Sequence, residues 1–229
     1  MRALLLALLA TPAPACDLAL AFAVDVSGSV SREEYRLQMD GLAAALRDAV
    51  ISDALVRGKA RLMLVQWTGS TRQAVTIPWA EAADFAALDA FADRVAADER
   101  RWRNYSTAIG EALSFTLGQF DPVRDCKRRL IDLSGDGISN EGAEPQAAHG
   151  ALRAAGVVVN ALAIEASEPD LTGYFFEHVI VGEGAFVETA PTFEAYPAKI
   201  RKKLLREITR QTAWNESEYY QQVYPIPTK

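Results

Sequence analysis

Residues 18–24 read LALAFAV, apolar at every position. A strand with one solvated face alternates apolar and polar residues, whereas a strand covered on both faces does not. The run therefore asks for a sheet with helices on both sides. Further strand-like runs follow at 60–68 (ARLMLVQWT), 129–137 (RLIDLSGDG) and 157–165 (VVVNALAIE), with shorter ones at 72–79 and 185–189. Only Gly69 and Ser70 with Thr71 part the run at 60–68 from the one at 72–79, so those two read as a hairpin.

Helical patterns fill the gaps. Ser31-Arg32-Glu33-Glu34 is a capping box, and Tyr35, Met39, Leu42, Leu46 and Val50 recur behind it at helical spacing. Asp84 caps a second pattern carrying Phe85, Leu88, Ala92 and Val95. A third carries Ile109, Leu113, Leu117 and Phe120, a fourth runs from about Pro145 to Ala155 and stops at Gly156, and a short one covers 170–177. In the last, Phe193, Tyr196, Ile200, Leu204 and Ile208 share a face, and Lys199, Arg201, Lys202, Lys203, Arg206 and Arg210 read as its solvated side. Strands alternating with helices define a three-layer α/β fold: a doubly wound, mostly parallel sheet with one antiparallel edge strand. Binding sites in such sheets lie outside the C-terminal strand ends, where the strand order reverses.

The ends of the chain carry their own signals. Arg2 precedes a short apolar run and the small residues Ala13-Pro14-Ala15 precede Cys16, the layout of a signal peptide over 1–15. The run is shorter than the ~20 apolar residues that span a bilayer. Export would leave a domain over 16–212 in the periplasm or outside the cell. The alternative is a lipoprotein acylated at Cys16, against which Ala13 stands where such sites want a leucine-like residue. Residues 213–229 are a polar and aromatic tail to which no structure is assigned. The formal net charge of −6 argues against a nucleic-acid partner.

Three segments then meet at one sheet edge. Asp25, Ser27 and Ser29 end the first strand, Thr107 opens a helix, and Asp136 ends the strand RLIDLSGDG. All five offer oxygen, and none is histidine or cysteine. Such a set suits a hard divalent cation, Mg²⁺ or Mn²⁺, with the two carboxylates offsetting its charge.

DVSGS (25–29), TAIGEAL (107–113) and SGDG (134–137) together resemble the metal-ion-dependent adhesion site of the von Willebrand factor A domain family. Asp25, Ser27 and Ser29 match its D-x-S-x-S motif, Thr107 with Ala112-Leu113 its T-x-x-x-x-A-L motif, and Asp136-Gly137 its third. The resemblance runs from about residue 18 to 210. It implies a Rossmann-like sheet, a bound Mg²⁺, and a protein partner whose Asp or Glu completes the metal shell. Ile109 departs from the pattern, standing where many members have a second threonine. Within the family the chain is similar to small exported bacterial proteins of unknown function.

Cys16 lies nine residues before Asp25 and Cys126 ten before Asp136. With both aspartates at one end of neighbouring parallel strands, both cysteines fall at the other. Strands ~4.8 Å apart suit the ~5.5 Å Cα spacing of a disulfide. A Cys16–Cys126 bridge is therefore expected. Arg100, Arg101, Trp102 and Arg103 immediately precede the Thr107 loop; if that loop rims the metal their charge favours an acidic ligand, with Arg101, Trp102 and Arg103 the candidate contacts, and the alternative is a solvated charged loop. The competing class is an enzyme, a Mg²⁺-dependent hydrolase or phosphotransferase using Asp25 as nucleophile. That chemistry wants a second carboxylate where Ser27 stands, and a serine hydrolase has no G-x-S-x-G elbow here. The sequence is expected to be a binding module rather than an enzyme.

Overall fold

The computed structural model describes residues 16–166 and 168–208. The signal-peptide reading of 1–15 and the tail at 213–229 lie outside the described residues. The strands are β1 (Leu18–Asp25), β2 (Arg61–Trp67), β3 (Gln73–Glu81), β4 (Arg128–Gly135), β5 (Val157–Ile164) and β6 (Val187–Ala190). The helices are α1 (Arg32–Leu46), α2 (Ala49–Arg57), α3 (Phe85–Ala97), α4 (Ile109–Leu117), α5 (His149–Ala154) and α6 (Leu171–His178). A seventh, α7, covers 196–208.

The strands form one sheet in the order β3-β2-β1-β4-β5-β6. Only β3 is antiparallel to its neighbour. The register with β2 shifts near Pro78, a residue that cannot donate to a ladder and is tolerated on an edge strand. The chain leaves β1 for β2 on one side and takes up β4 on the other, so the switch point lies between the C-terminal ends of β1 and β4.

Strand β1 shows why its sequence lacks alternation. Leu18, Leu20, Phe22 and Val24 face a core built with α1, α2, α3 and α7. Ala19, Ala21 and Ala23 face a second core with α4, α5 and α6. Large residues on one face and alanines on the other set how closely each helix layer approaches. At the far end Cys16 and Cys126 form a disulfide with Cα atoms 4.6 Å apart. Lys127 N–H donates to the Cys16 carbonyl at 3.0 Å and Arg128 N–H to that of Asp17 at 3.1 Å, so β4 is zipped to β1 directly beyond the bridge.

Four expectations need correction. The first helix ends at Leu46; Asp48 caps a separate helix, accepting from Val50 and Ile51 N–H, and Val50 is exposed rather than on the core face. Asp84 does cap α3 through Ala87 N–H at 2.7 Å, but Phe85 is exposed, because the first residue of that helix lies off its buried stripe. Phe120 is buried beyond the end of α4, which closes at Gly118. Lys203 is not on a solvated face. It is fully buried, with Nζ 2.6 Å from Asp132 Oδ2 and 2.8 Å from Glu207 Oε1.

Candidate metal centre

The apolar wall of β1 ends on Asp25, which is fully buried. Its Oδ1 accepts the N–H of Ser27 at 2.6 Å, turning the chain sharply at the strand end. Its Oδ2 is buried without a hydrogen-bond partner. Gly135, at the end of β4, faces this carboxylate: a Cβ there would stand 3.1 Å from Asp25 Oδ2. Glycine leaves the carboxylate its space.

Ser27 Oγ lies 3.2 Å from Ser29 Oγ, and Ser29 Oγ donates to Asp136 Oδ1 at 2.7 Å. The hydrogen bonds thus run from the β1 loop to the β4 loop, 107 residues apart in sequence. Asp136 is buried, and its Oδ2 has no hydrogen-bond partner. Gly28 is needed for close approach. Its N–H donates to Tyr105 O at 2.8 Å, and a Cβ on it would meet Asn104 Cα and Tyr105 O at 3.3 Å.

Thr107 is nearly fully buried and held by the loop after β4. Its N–H donates to Asn140 Oδ1 at 2.9 Å, and its carbonyl accepts from Asn140 N–H at 2.9 Å and Ser139 Oγ at 3.4 Å. Thr107 Oγ1 lies 3.8 Å from where a Cβ on Gly137 would stand, which sets it beside the Asp136 turn. Ile109 packs its side chain into the core while its N–H donates to Ser139 Oγ at 3.2 Å.

The electrostatics are set by burial. Burial, then the charge of Asp136, pushes the Asp25 carboxyl up to about 7. Burial likewise raises Asp136, against the Ser29 hydrogen bond that lowers it. Two buried carboxyls, each with an oxygen lacking a partner, fit a hard divalent cation, which would satisfy both oxygens and hold both groups ionised. Ser27, Ser29 and Thr107 add neutral oxygens. Among the described residues no three of His, Cys, Asp and Glu gather as metal ligands, so a cation here would rest on two carboxylates with hydroxyls.

The structure brings Asp25, Ser27, Ser29 and Asp136 into one hydrogen-bonded group, with Thr107 alongside. Arg101, Trp102 and Arg103 lie in the same segment as Thr107, and among the described residues no side-chain hydrogen bond joins them to these five. Arg101 N–H donates to Gln66 Oε1 at 2.9 Å, its guanidinium sits 5.5 Å from the Trp102 ring centroid, and Trp102 is half-buried against the core. The residue that reaches the site is Arg100, whose Nη2 donates to the carbonyls of Val26 at 3.1 Å and Ser27 at 2.7 Å. No local spacing marks Arg100, Asn140 or Ser139, because their partners lie 30 or more residues away.

The fold, a six-stranded mixed sheet flanked by helices, is von Willebrand factor A-like. The chain belongs to the family described as protein of unknown function DUF1194, whose model matches residues 15–212. Proximal thread matrix protein 1 of the mussel byssus, solved with a zinc-occupied MIDAS motif, is 20% identical at TM-score 0.60, over 83% of this chain and 48% of that one. A von Willebrand factor type A structure from Catenulispora acidiphila is 16% identical at TM-score 0.61, over 84% and 43%. BatB from Bacteroides thetaiotaomicron, a conserved hypothetical protein, is 16% identical at TM-score 0.51, over 84% and 99%. The chain spans about half the length of the first two, and identities this low show the fold alone. No curated protein matches the chain.

Proposed function

We propose that this chain is an exported binding module in which Asp25, Ser27, Ser29, Thr107 and Asp136 hold Mg²⁺ or Mn²⁺, and that a partner protein's Asp or Glu completes the shell. The carrying observation is the pair of unpartnered buried oxygens, Asp25 Oδ2 and Asp136 Oδ2, at the switch point of the sheet. The zinc-occupied motif of the mussel protein, on the same fold, supports a divalent cation here. The module spans 16–212 and follows an export segment at 1–15. The disulfide supports a periplasmic or extracellular setting, where such bonds persist. No described helix is long and apolar enough to cross a membrane. Arg101, Trp102 and Arg103 flank the site and offer charge and contact area to an acidic partner. When bound, the metal supplies a Lewis-acidic point for a carboxylate. The protein's own residues position it: Ser29 ties the two aspartates' loops, and Asn140 fixes Thr107.

The test is a pull-down from the source cell envelope with Mg²⁺ or with EDTA, using wild type and Asp25→Ala. The expected result is a partner retained only by wild type with Mg²⁺. A partner retained equally in every lane overturns the metal-bridged reading.

A further inference from the structure

Arg100 stands in the segment between α3 and α4 and is half-buried. Both of its hydrogen bonds at the site go to backbone carbonyls, Val26 O and Ser27 O, the two residues that follow Asp25. Its Nε is buried with no hydrogen-bond partner, and the carboxylate of Glu34, in the first turn of α1, acts on its charge through space as it does on that of Asp136. Carbonyl oxygens satisfy its N–H groups without cancelling its charge. Burial disfavours that charge, and the Asp25 carboxylate restores part of what burial removes, so the two groups feel one another through space.

The guanidinium is not free to swing aside. Asp98 Oδ2, two residues earlier, accepts from Tyr35 OH at 3.1 Å, Gln66 Nε2 at 2.7 Å and Thr76 Oγ1 at 2.9 Å. Gln66 also holds Arg101 N–H, and Tyr105 O holds Gly28 N–H. The segment 98–105 is therefore pinned to the core on one side and to the D-x-S-x-S loop on the other. A fixed positive charge is built into the wall of a site whose two carboxylates invite a cation.

We propose that Arg100 sets the strength of this metal site: its fixed charge weakens divalent-cation binding and partly neutralises Asp25 and Asp136 while no metal is held. This rests on the reading that those residues bind a cation. Arg100→Lys and Arg100→Met both lose the planar fork that grips two carbonyls, but only the lysine keeps the charge. Mg²⁺ is titrated calorimetrically into both, with wild type and Asp25→Ala alongside, at one pH and ionic strength. The methionine variant is expected to bind Mg²⁺ roughly tenfold more tightly than the lysine variant. Arg100→Gln replaces the methionine variant if the latter does not fold, with the same expectation. Equal affinities, or weaker binding without the charge, overturn the proposal, since a purely structural arginine would affect both variants alike. A wild type that binds no Mg²⁺, or an Asp25→Ala that binds as well as wild type, instead removes the metal reading, and this inference with it.

Discussion

Asp132 and Asp136 lie four residues apart, one within β4 and one in the turn after it, and both are buried. Their surroundings differ in one respect. Asp132 shares the Lys203 ammonium with Glu207, at 2.6 and 2.8 Å, and Asn160 Nδ2 donates to Glu207 Oε1 at 2.7 Å. Burial works against the Lys203 charge, but the two carboxylates outweigh it and leave its pKa raised. Asp136 and Asp25 have no ammonium or guanidinium hydrogen-bonded to them among the described residues. The chain supplies a hydrogen-bonded cation to one buried carboxylate pair and gives the other only the through-space charge of Arg100. A buried charge is retained where something compensates it, so the second pair points to a compensator from outside.

Removing the internal cation should do the most damage. Lys203→Met strands Asp132 and Glu207, and is expected to cost about 3–5 kcal/mol in urea unfolding, with Mg²⁺ giving no specific rescue. Asp25→Asn should act in the opposite direction in metal-free protein. The folded Asp25 pKa, about 7, lies above the unfolded value of 3.8, so folding favours the protonated form. That contribution is full below about pH 4 and is lost as pH rises through about 7. At pH 8 the ionised group costs as much as roughly 4 kcal/mol, and Asp25→Asn should recover part of it while abolishing Mg²⁺ binding. The urea midpoint of metal-free wild type should fall between pH 4 and 7 from this group, and that slope should vanish in Asp25→Asn. A destabilised Asp25→Asn would break the comparison.

Mg²⁺ at a hundred times its dissociation constant should stabilise wild type by about 2.7 kcal/mol, read as a shift in thermal midpoint that EDTA reverses. The smallest effect is expected at the rim. Arg101→Ala and Arg103→Ala should change stability by less than about 0.5 kcal/mol and leave Mg²⁺ affinity unchanged. On the binding reading they should weaken partner binding and its salt dependence, measured by surface plasmon resonance once the pull-down supplies the partner.

What the sequence revealed follows the same division. Asp25, Ser27 and Ser29 are legible because the ending of an apolar strand in a carboxylate and two hydroxyls is a local pattern. Thr107 and Asp136 become legible because the strand order places them at the same edge. The disulfide is legible because register on adjacent parallel strands fixes height, and the structure closes it at a Cα distance of 4.6 Å. Lys203 was hidden. On an amphipathic helix it looks like any cation of a solvated face, and its partner Asp132 is contributed by a distant strand. Helix α2 was hidden by Val50, which continues the spacing of α1 although Asp48 restarts the backbone. Arg100 was visible as one charge among several, but its choice of Ser27 as partner depends on how segment 98–105 is anchored.

The Cys16–Cys126 bridge encloses β1 through α4 in a loop with a sequence separation of 110. The exposed residues 103–106 lie inside that loop. A protease that cuts there severs the backbone between Asp25 and Thr107 without releasing either piece. The fragments stay joined by sulfur at the opposite end of the sheet, and the cut chain should run as one band on a non-reducing gel and two after reduction. An edge nicked there keeps its two halves held together by the bridge at the opposite end.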